Sequence, residues 1–436
     1  MDPTLVAALG LLVMFGLMAF GMPIAFAMLL AGVLGNAWLL SLPATTHLLA
    51  TNVWDQFSSY GLSVVPLFVL MGQFAFRAGI TERLYDAAYK WFGRLPGGLA
   101  GTTIAACAGF SAICGSNSAT AATMGTIALP QMRRYGYDRA LSTGAVAVGG
   151  TLGVVIPPSV VMIVIAVQTE QSLLRLFLAG LVPGLLLTAL FLGTVLLMCL
   201  RKPTLGPPGP ATPMREKIAS LSGVVETLLL FVLVIGGLYV GWFTPTEAGA
   251  AGAAGALLIG LVRGKLSLAS IVQASAETLR ISAMVVLLIT GAVLFGRFLT
   301  VSRLPFELAD WAASLPVAPG VILLVVVLIY LVGGALMDAL GFLVVTVPIF
   351  FPLALALGYD PAWFTILLTI VTTMGAVTPP VGVNVFIVNG LAPDVPIPTI
   401  FLGVMYFMLA YVACIALMWA VPETVLLLPD LMLGKG

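Results

Sequence analysis

The sequence predicts an all-α polytopic membrane protein built as an inverted-topology repeat, with two re-entrant helical hairpins and two proline-broken helices. Of the 436 residues, 61% are hydrophobic and only 8% are charged, whereas a soluble domain carries about 25% charged residues. The chain also matches itself at an offset of 222 positions. Finally, the apolar runs 98–132 and 317–353 are too long for one spanning helix and too short for two spans joined by a loop.

Apolar runs of spanning length fall at about 4–20, 23–40, 61–77, 98–132, 140–168 and 176–200, then at about 222–242, 246–262, 280–298, 317–353, 362–390 and 399–421. The start, Met1-Asp2-Pro3, lacks a basic n-region, so the first run reads as a retained helix rather than a cleaved signal peptide. Prolines and charges in R-K-P-T-L-G-P-P-G-P-A-T-P-M-R-E-K mark 201–221 as a linker outside the membrane. On either side lie the two copies, 1–200 and 222–436. The offset of 222 pairs Pro23 with Pro245, Pro130 with Pro352, and Gly136-Tyr137-Asp138 with Gly358-Tyr359-Asp360. It also pairs Thr151 with Thr373, Gly153 with Gly375, and Pro157-Pro158 with Pro379-Pro380. A shared apolar bias gives scattered Leu and Ala matches, but not G-Y-D and P-P at one offset.

Orientation follows from Lys and Arg. With both hairpins re-entrant and both termini outside, fourteen of the eighteen bases fall inside, leaving Arg175, Arg297, Arg303 and Lys435 outside. That satisfies the positive-inside bias. The loop holding Arg133, Arg134 and Arg139 corresponds to 355–361, which has no base. Equivalent loops therefore face opposite sides, as an inverted repeat requires.

The chemistry concentrates in G-F-S-A-I-C-G-S-N-S-A-T-A-A-T-M-G, residues 109–125. Small and hydroxyl residues at that density suit a chain that turns inside the bilayer and offers oxygens, buried in protein or lining a cavity. The second hairpin breaks between Gly333-Gly334 and Asp338, which sits opposite Ser116 in the repeat. An intramembrane carboxylate is a functional candidate, and an Asp before Ala339 is also a helix cap; the two roles are compatible. The pairs Pro157-Pro158 and Pro379-Pro380 interrupt later spans and free carbonyls one turn upstream. Discontinuous helices of this kind meet near the midplane in inverted-repeat transporters, where N-termini face anions and unwound carbonyls coordinate a cation. Candidate oxygens are the side chains of Ser111, Ser116, Asn117, Thr373 and Thr378, with carbonyls around Gly153, Ile156 and Gly375. The same small residues let helices pack closely, which is the reading adopted for G-A-A-G-A-A-G at 249–255. Glu226, Glu247, Glu277 and Arg280 read as scaffold contacts. Residues 77–94 and 297–311 suit amphipathic helices lying along opposite interfaces.

Several classes are excluded. Net charge is +1 without a dense basic run, so nucleic acid is not a partner. His47 is the only histidine, the four cysteines lie in apolar segments, and no metal-ligand spacing exists, which argues against a zinc or heme site and against an enzyme. Sustained channel activity is disfavoured by the paired hairpins.

At G-F-S-A-I-C-G-S-N-S-A-T-A-A-T-M-G-T-I-A-L-P-Q-M, G-T-L-G-V-V-I-P-P-S and T-P-T-E-A-G the chain resembles the large membrane subunit of tripartite ATP-independent periplasmic (TRAP) transporters, the DctM family. The resemblance runs through nearly the whole chain. It implies Na⁺-driven uptake of an organic anion, such as a C4-dicarboxylate or sugar acid, at the bacterial inner membrane and without an organic cofactor. It further implies an elevator-type transport domain (97–175 and 315–395) sliding against a scaffold with its arms (1–96 and 222–314). A small membrane subunit of DctQ type and a periplasmic binding protein of DctP type would be separate partners. Carried over by position, one Na⁺ site uses Ser111, Ser116, Asn117, Gly153, Ile156 and Pro158. A second uses Gly333, Asp338, Thr373, Gly375 and Thr378. Substrate lies near Ser116, Ser159 and Asp338. Cys114 departs from the family, which often has Ser there. The rival reading is a self-sufficient ion-coupled carrier for dicarboxylates or related anions on a similar inverted repeat.

Overall fold

The computed structural model describes residues 2–209 and 212–434. Met1, the linker residues Pro210 and Ala211, Gly436, and Lys435, counted above among the outside bases, lie outside the described residues. Every regular element among the described residues is helical, as expected where no water satisfies the backbone. Nine helices among them are long and apolar enough to cross a membrane.

The first copy contains α1 (Pro3–Ala19), α2 (Ile24–Leu39), α3 (Leu42–Ser58), α4 (Val64–Arg77), α5 (Ile80–Phe92), α6 (Gly98–Cys114), α7 (Asn117–Arg134), α8 (Arg139–Val155), α9 (Val160–Thr169) and α10 (Leu173–Arg201). The second begins with α11 (Met214–Phe231), which runs through a π turn at Val232–Gly236 into α12 (Gly237–Val240). It continues with α13 (Pro245–Val262), α14 (Leu268–Val301), α15 (Leu304–Ser314), α16 (Pro319–Leu336), α17 (Ala339–Ala356), α18 (Pro361–Gly375), α19 (Val383–Leu391), α20 (Ile397–Ala420) and α21 (Glu423–Leu433).

The 222-residue offset carries α7 onto α17 residue for residue. It also matches their N-caps, Ser116 and Asp338, and the cis bonds Pro157–Pro158 and Pro379–Pro380. Packing is reciprocal between the copies. Helix α2 packs on α14 and α13 on α4, while α7 packs on α19 and α17 on α9. Each pair is the repeat image of the other. Four side-chain amides donate to backbone carbonyls of the other copy: Asn36 Nδ2 to Leu294 O (3.3 Å), Asn52 Nδ2 to Thr290 O (2.9 Å), Gln168 Nε2 to Val344 O (2.8 Å) and Asn384 Nδ2 to Ala147 O (3.1 Å). Such bonds contribute about 0.6–2 kcal/mol each between membrane helices. Close backbone approach supplies the rest: a Cβ on Gly291 would lie 2.6 Å from Ala25 O.

The structure departs from the sequence reading in four places. Residues 42–58, outside the expected spans, form α3, whose N-cap Ser41 accepts from Ala44 N at 3.3 Å. Together α3 and α4 correspond to the single 34-residue α14. The second arm begins at Leu304 rather than 297, because Arg297 still belongs to α14. The linker is shorter than 201–221, since Arg201 ends α10 and α11 starts at Met214. Part of it is tied back to the first copy: Gly97 N donates to Gly206 O, Asp138 N to Leu205 O and Gly209 N to Gly93 O, at 2.8–2.9 Å. Finally, α21 has no counterpart in the first copy.

Helix α5 is pinned to α11 by ions. Arg83 reaches Glu226 at 2.7 Å and Ser222 at 2.7 Å, and Arg263 meets the same Glu226 carboxylate at 2.8 Å. Glu226 of α11 thus ties α5 and the end of α13 together.

Candidate functional site

The two hairpins, α6–α7 and α16–α17, bring their tips to one cavity of about 470 Å³. Gly115 turns the first tip with φ of 66°, a left-handed value that favours glycine. Ser116 then caps α7, its hydroxyl accepting from Ala119 N at 3.4 Å. Asp338 caps α17 in the same way, with Oδ2 accepting from Leu340 N at 3.1 Å. Ser116, Asn117 and Ser118 line the cavity from one hairpin and Asp338 and Leu340 from the other, with Val160 from the start of α9. Three helix N-termini therefore border one space, each contributing partial positive charge.

Helices α4 and α14 close the opposite wall. Gly72, Gln73 and Phe76 come from α4, and Glu277, Ile281 and Met284 from α14. Glu277 pairs with Arg77 at 3.2 Å, and Arg77 also donates to Gln273 at 3.0 Å. Sequence reasoning placed Glu277 among the scaffold contacts but missed that it faces the cavity, and it missed Gln73 altogether. Neither carries a local signal, since both lie on ordinary-looking spans. Among the described residues the cavity lining has two carboxylates, Glu277 and Asp338, and no Lys or Arg.

Most of the first candidate cation set is brought together. Gly115 O accepts from Val160 N at 3.2 Å, and a Cβ on Gly115 would lie 2.6 Å from Pro158 O. A Cβ on Gly153 would lie 2.4 Å from Ser116 O and 2.7 Å from Thr120 Oγ1, so only glycine lets α8 touch the tip. Ile156 ends α8, its N–H donating to Leu152 O at 2.9 Å. Ser111 is buried, its hydroxyl donating to Cys107 O at 2.6 Å and its carbonyl accepting from Gly115 N at 3.3 Å. Asn117 Nδ2 and Thr120 Oγ1 are buried without a hydrogen-bond partner. An orphaned hydroxyl beside carbonyls is what an oxygen-seeking cation would use. Thr120 was overlooked in the sequence, although it lies one helical turn after Ser116.

The second set divides. Gly375 packs on the end of α16, where a Cβ would lie 2.5 Å from Leu331 O, and Gly375 O accepts from Thr378 N at 2.7 Å. Ala335 O accepts from Val381 N and Gly382 N at 3.3 and 3.0 Å, echoing the bond from Val160 to Gly115. Gly333 O already caps its helix by accepting from Met337 N at 3.0 Å, and a Phe342 ring fills the space over its Cα. Thr373 and Thr378 donate to Ile370 O and Met374 O at 2.8 and 2.7 Å, leaving their oxygens able to accept. Asp338 faces the central cavity. Ser159 is fully buried behind the wall formed by Val160 and Val161, its hydroxyl accepting from Met162 N at 3.4 Å as the cap of α9. Cys114 lines the cavity where Gly72 approaches it.

Two discontinuous helices, two opposed hairpins and a shared cavity make a transporter's architecture. The profile described as "Tripartite ATP-independent periplasmic transporter, DctM component" matches residues 11–424. The chain belongs to the DctM family. It is 36% identical over 393 residues to the C4-dicarboxylate TRAP transporter large permease protein DctM of Pseudomonas aeruginosa, covering 90% of this chain and 91% of that one. It is 32% identical to the sialic acid TRAP transporter large permease protein SiaM of Vibrio cholerae (97% and 98% covered). The 2,3-diketo-L-gulonate TRAP transporter large permease protein YiaN of Escherichia coli is 29% identical (87% and 88% covered). Among solved structures, the Alcanivorax borkumensis YdaH transporter superposes over the full length of both chains with a TM-score of 0.62 at 17% identity, a likeness of fold. As a DctM-family member the chain is a TRAP transporter large permease, a multi-pass membrane protein and not an enzyme. Permeases of this family work with a small membrane subunit and a periplasmic binding protein.

Proposed function

We propose that this large permease imports a carboxylate-bearing organic anion together with Na⁺, by an elevator movement of both hairpins and both broken helices against the scaffold. The observation that carries this reading is the charge of the cavity. An anion entering a space whose lining holds Asp338, a Glu277 already paired with Arg77 and, among its described residues, no Lys or Arg is favoured by helix N-termini and by co-bound cations. Cation binding and anion binding then become one coupled event. One Na⁺ would use Ser111, Ser116, Asn117, Gly153, Ile156 and Pro158, with Thr120 added; another would use Gly333, Asp338, Thr373, Gly375 and Thr378. The anion would meet Ser116 and Asp338, with Ser159 orienting the N-terminus of α9.

The re-entrant geometry is supported by the shared cavity, because hairpins entering from opposite ends meet at their tips. Movement is supported by an asymmetry between the copies. Here Gly72 approaches Cys114, and Gly296 approaches Pro348 with a Cβ distance of 3.7 Å. Their repeat images are Leu294 with Leu336 and Phe74 with Thr126. Leu336 is 52% exposed and Thr126 is exposed. Exchanging the two sets of contacts gives the opposite-facing state, and shifts α4 along α7 by about ten residues, or about 15 Å.

The relatives' substrates suggest a C4-dicarboxylate or a sugar acid. The protein would sit in the inner membrane with both termini periplasmic, served by a DctQ-type subunit and a DctP-type binding protein. The test is uptake into proteoliposomes containing this chain and its small subunit. A Na⁺ gradient plus loaded binding protein should drive uptake, and Ser116→Ala should abolish it while the protein stays folded. Uptake by this chain without any binding protein would instead establish the self-sufficient carrier.

A further inference from the structure

A second cavity, of about 520 Å³, lies at the basic end of the transport part. It is a groove between the C-terminal half of α7, the start of α8 and residues 391–395 after α19. Thr126, Arg133, Arg139, Ser142, Thr143 and Asp394 supply its polar lining. The groove continues the wall of the central cavity. Ala119 and Thr123 of α7 line the central cavity, and Thr126, Pro130 and Arg133 line the groove. Spaced three or four apart, they form one helix face, about 21 Å long from residue 119 to residue 133.

The repeat supplies a control. The image of the groove lies at the other end, against α17, the start of α18 and the end of α9. There Thr365, the image of Thr143, is taken by Gln171 Nε2 at 3.0 Å. Asp360 is paired with Arg175, which also holds Asp430 of α21. At the open groove the position of Gln171 is occupied by its image Pro393, which has no donor, and the images of Arg133 and Arg139 at the other end are Leu355 and Pro361. One groove is filled; the other is open and basic. Arg133 meets Asp394 at 3.4 Å with 74% of its side chain exposed, a solvent-screened contact that an incoming anion can displace. Arg139 has no ion pair among the described residues.

We propose that this groove is a second anion subsite that takes a small organic carboxylate on two guanidinium groups without needing Na⁺. Rotating off the cation-dependent central cavity, a carboxylate travelling along α7 meets fixed positive charge at the basic end. The assignment to a carboxylate rests on the function proposed above; the groove's preference for anions does not.

The test uses the full chain in phosphatidylcholine nanodiscs in Na⁺-free buffer, with Ser142→Cys introduced on a Cys114→Ser background. A negatively charged methanethiosulfonate should label the groove at least about tenfold faster than its positively charged counterpart, and succinate should slow that labelling. Arg133→Gln with Arg139→Gln should remove both effects. Absence of succinate protection, or protection that survives the double substitution, overturns the subsite. Equal protection by inorganic phosphate overturns the carboxylate assignment, and loss of labelling on adding phosphatidylglycerol alone assigns the groove to a lipid headgroup instead. Labelling of Cys114 in the otherwise native chain, with and without Na⁺, separates the two readings. Na⁺-dependent protection of Cys114 without groove protection sinks only the subsite, and the converse sinks only the central site.

Discussion

Asp338 shows how one side chain can hold two roles. Its carboxylate caps α17 and also faces the central cavity. Asn caps a helix about as well as Asp, whereas Ala loses about 1 kcal/mol. Asp338→Asn should therefore unfold at nearly the wild-type temperature in detergent yet lose Na⁺-driven uptake, and Asp338→Ala should lose both stability and uptake. Normal uptake by the Asn variant would reduce Asp338 to a cap. Its position was legible in the sequence because a lone carboxylate in an apolar run stands out. Thr120 was not, because a Thr in a membrane helix ordinarily returns its hydroxyl to a backbone carbonyl. Thr143, Thr346 and Thr369 all do so here, and only the packing of Gly153 reveals that Thr120 does not.

At the scale of elements, the site depends on how closely α8 meets the first hairpin. Gly153→Ala would place a methyl 2.4 Å from the Ser116 carbonyl oxygen, a backbone atom that cannot rotate away. Overpacking of this kind costs about 1–3 kcal/mol, so the Na⁺ concentration for half-maximal uptake should rise by between about fivefold and about 150-fold. Gly193→Ala in α10, where a Cβ meets nothing within 4 Å, should leave it unchanged. An unaltered Na⁺ dependence in Gly153→Ala would remove Gly153 from the cation site. The hairpins and broken helices were readable because Gly, Ser and paired Pro interrupt apolar runs. Helix α3 was not, since L-P-A-T-T-H-L-L-A-T-N-V-W-D-Q-F-S lacks a spanning hydropathy signal, and tertiary bonds such as Asn52 to Thr290 hold it in place.

For the whole molecule, the exchange of contacts between copies gives a direct test of movement. Gly72→Cys faces native Cys114, with the Cβ 3.3 Å from the Cys114 Cα, close enough for a disulfide. Leu294→Cys with Leu336→Cys, on a Cys114→Ser background, is the image pair. Both pairs should cross-link in membranes, each halting uptake, and Na⁺ with substrate should change their relative yields. Cross-linking of the first pair alone, under every condition, would mean that the contacts do not exchange.

Composition alone determined that this chain lives in a membrane, and self-similarity determined that it is two copies; that they face opposite ways is an expectation from the Lys/Arg split. Both are one-dimensional properties: burial in lipid demands long apolar runs, and duplication leaves a fixed offset. The correspondence of the tips at Ser116 and Asp338 followed from the same offset. Only the tertiary structure decided what surrounds them, because each copy packs on the other as well as on itself. Helices α4 and α14 lie far apart in the chain, and no local pattern says that Gln73 and Glu277 face Asn117 across one cavity. Nor does any pattern say that one basic groove stays open while its image is filled by Gln171. These are outcomes of three-dimensional packing, in which the copies, alike in sequence pattern, settle into different contacts.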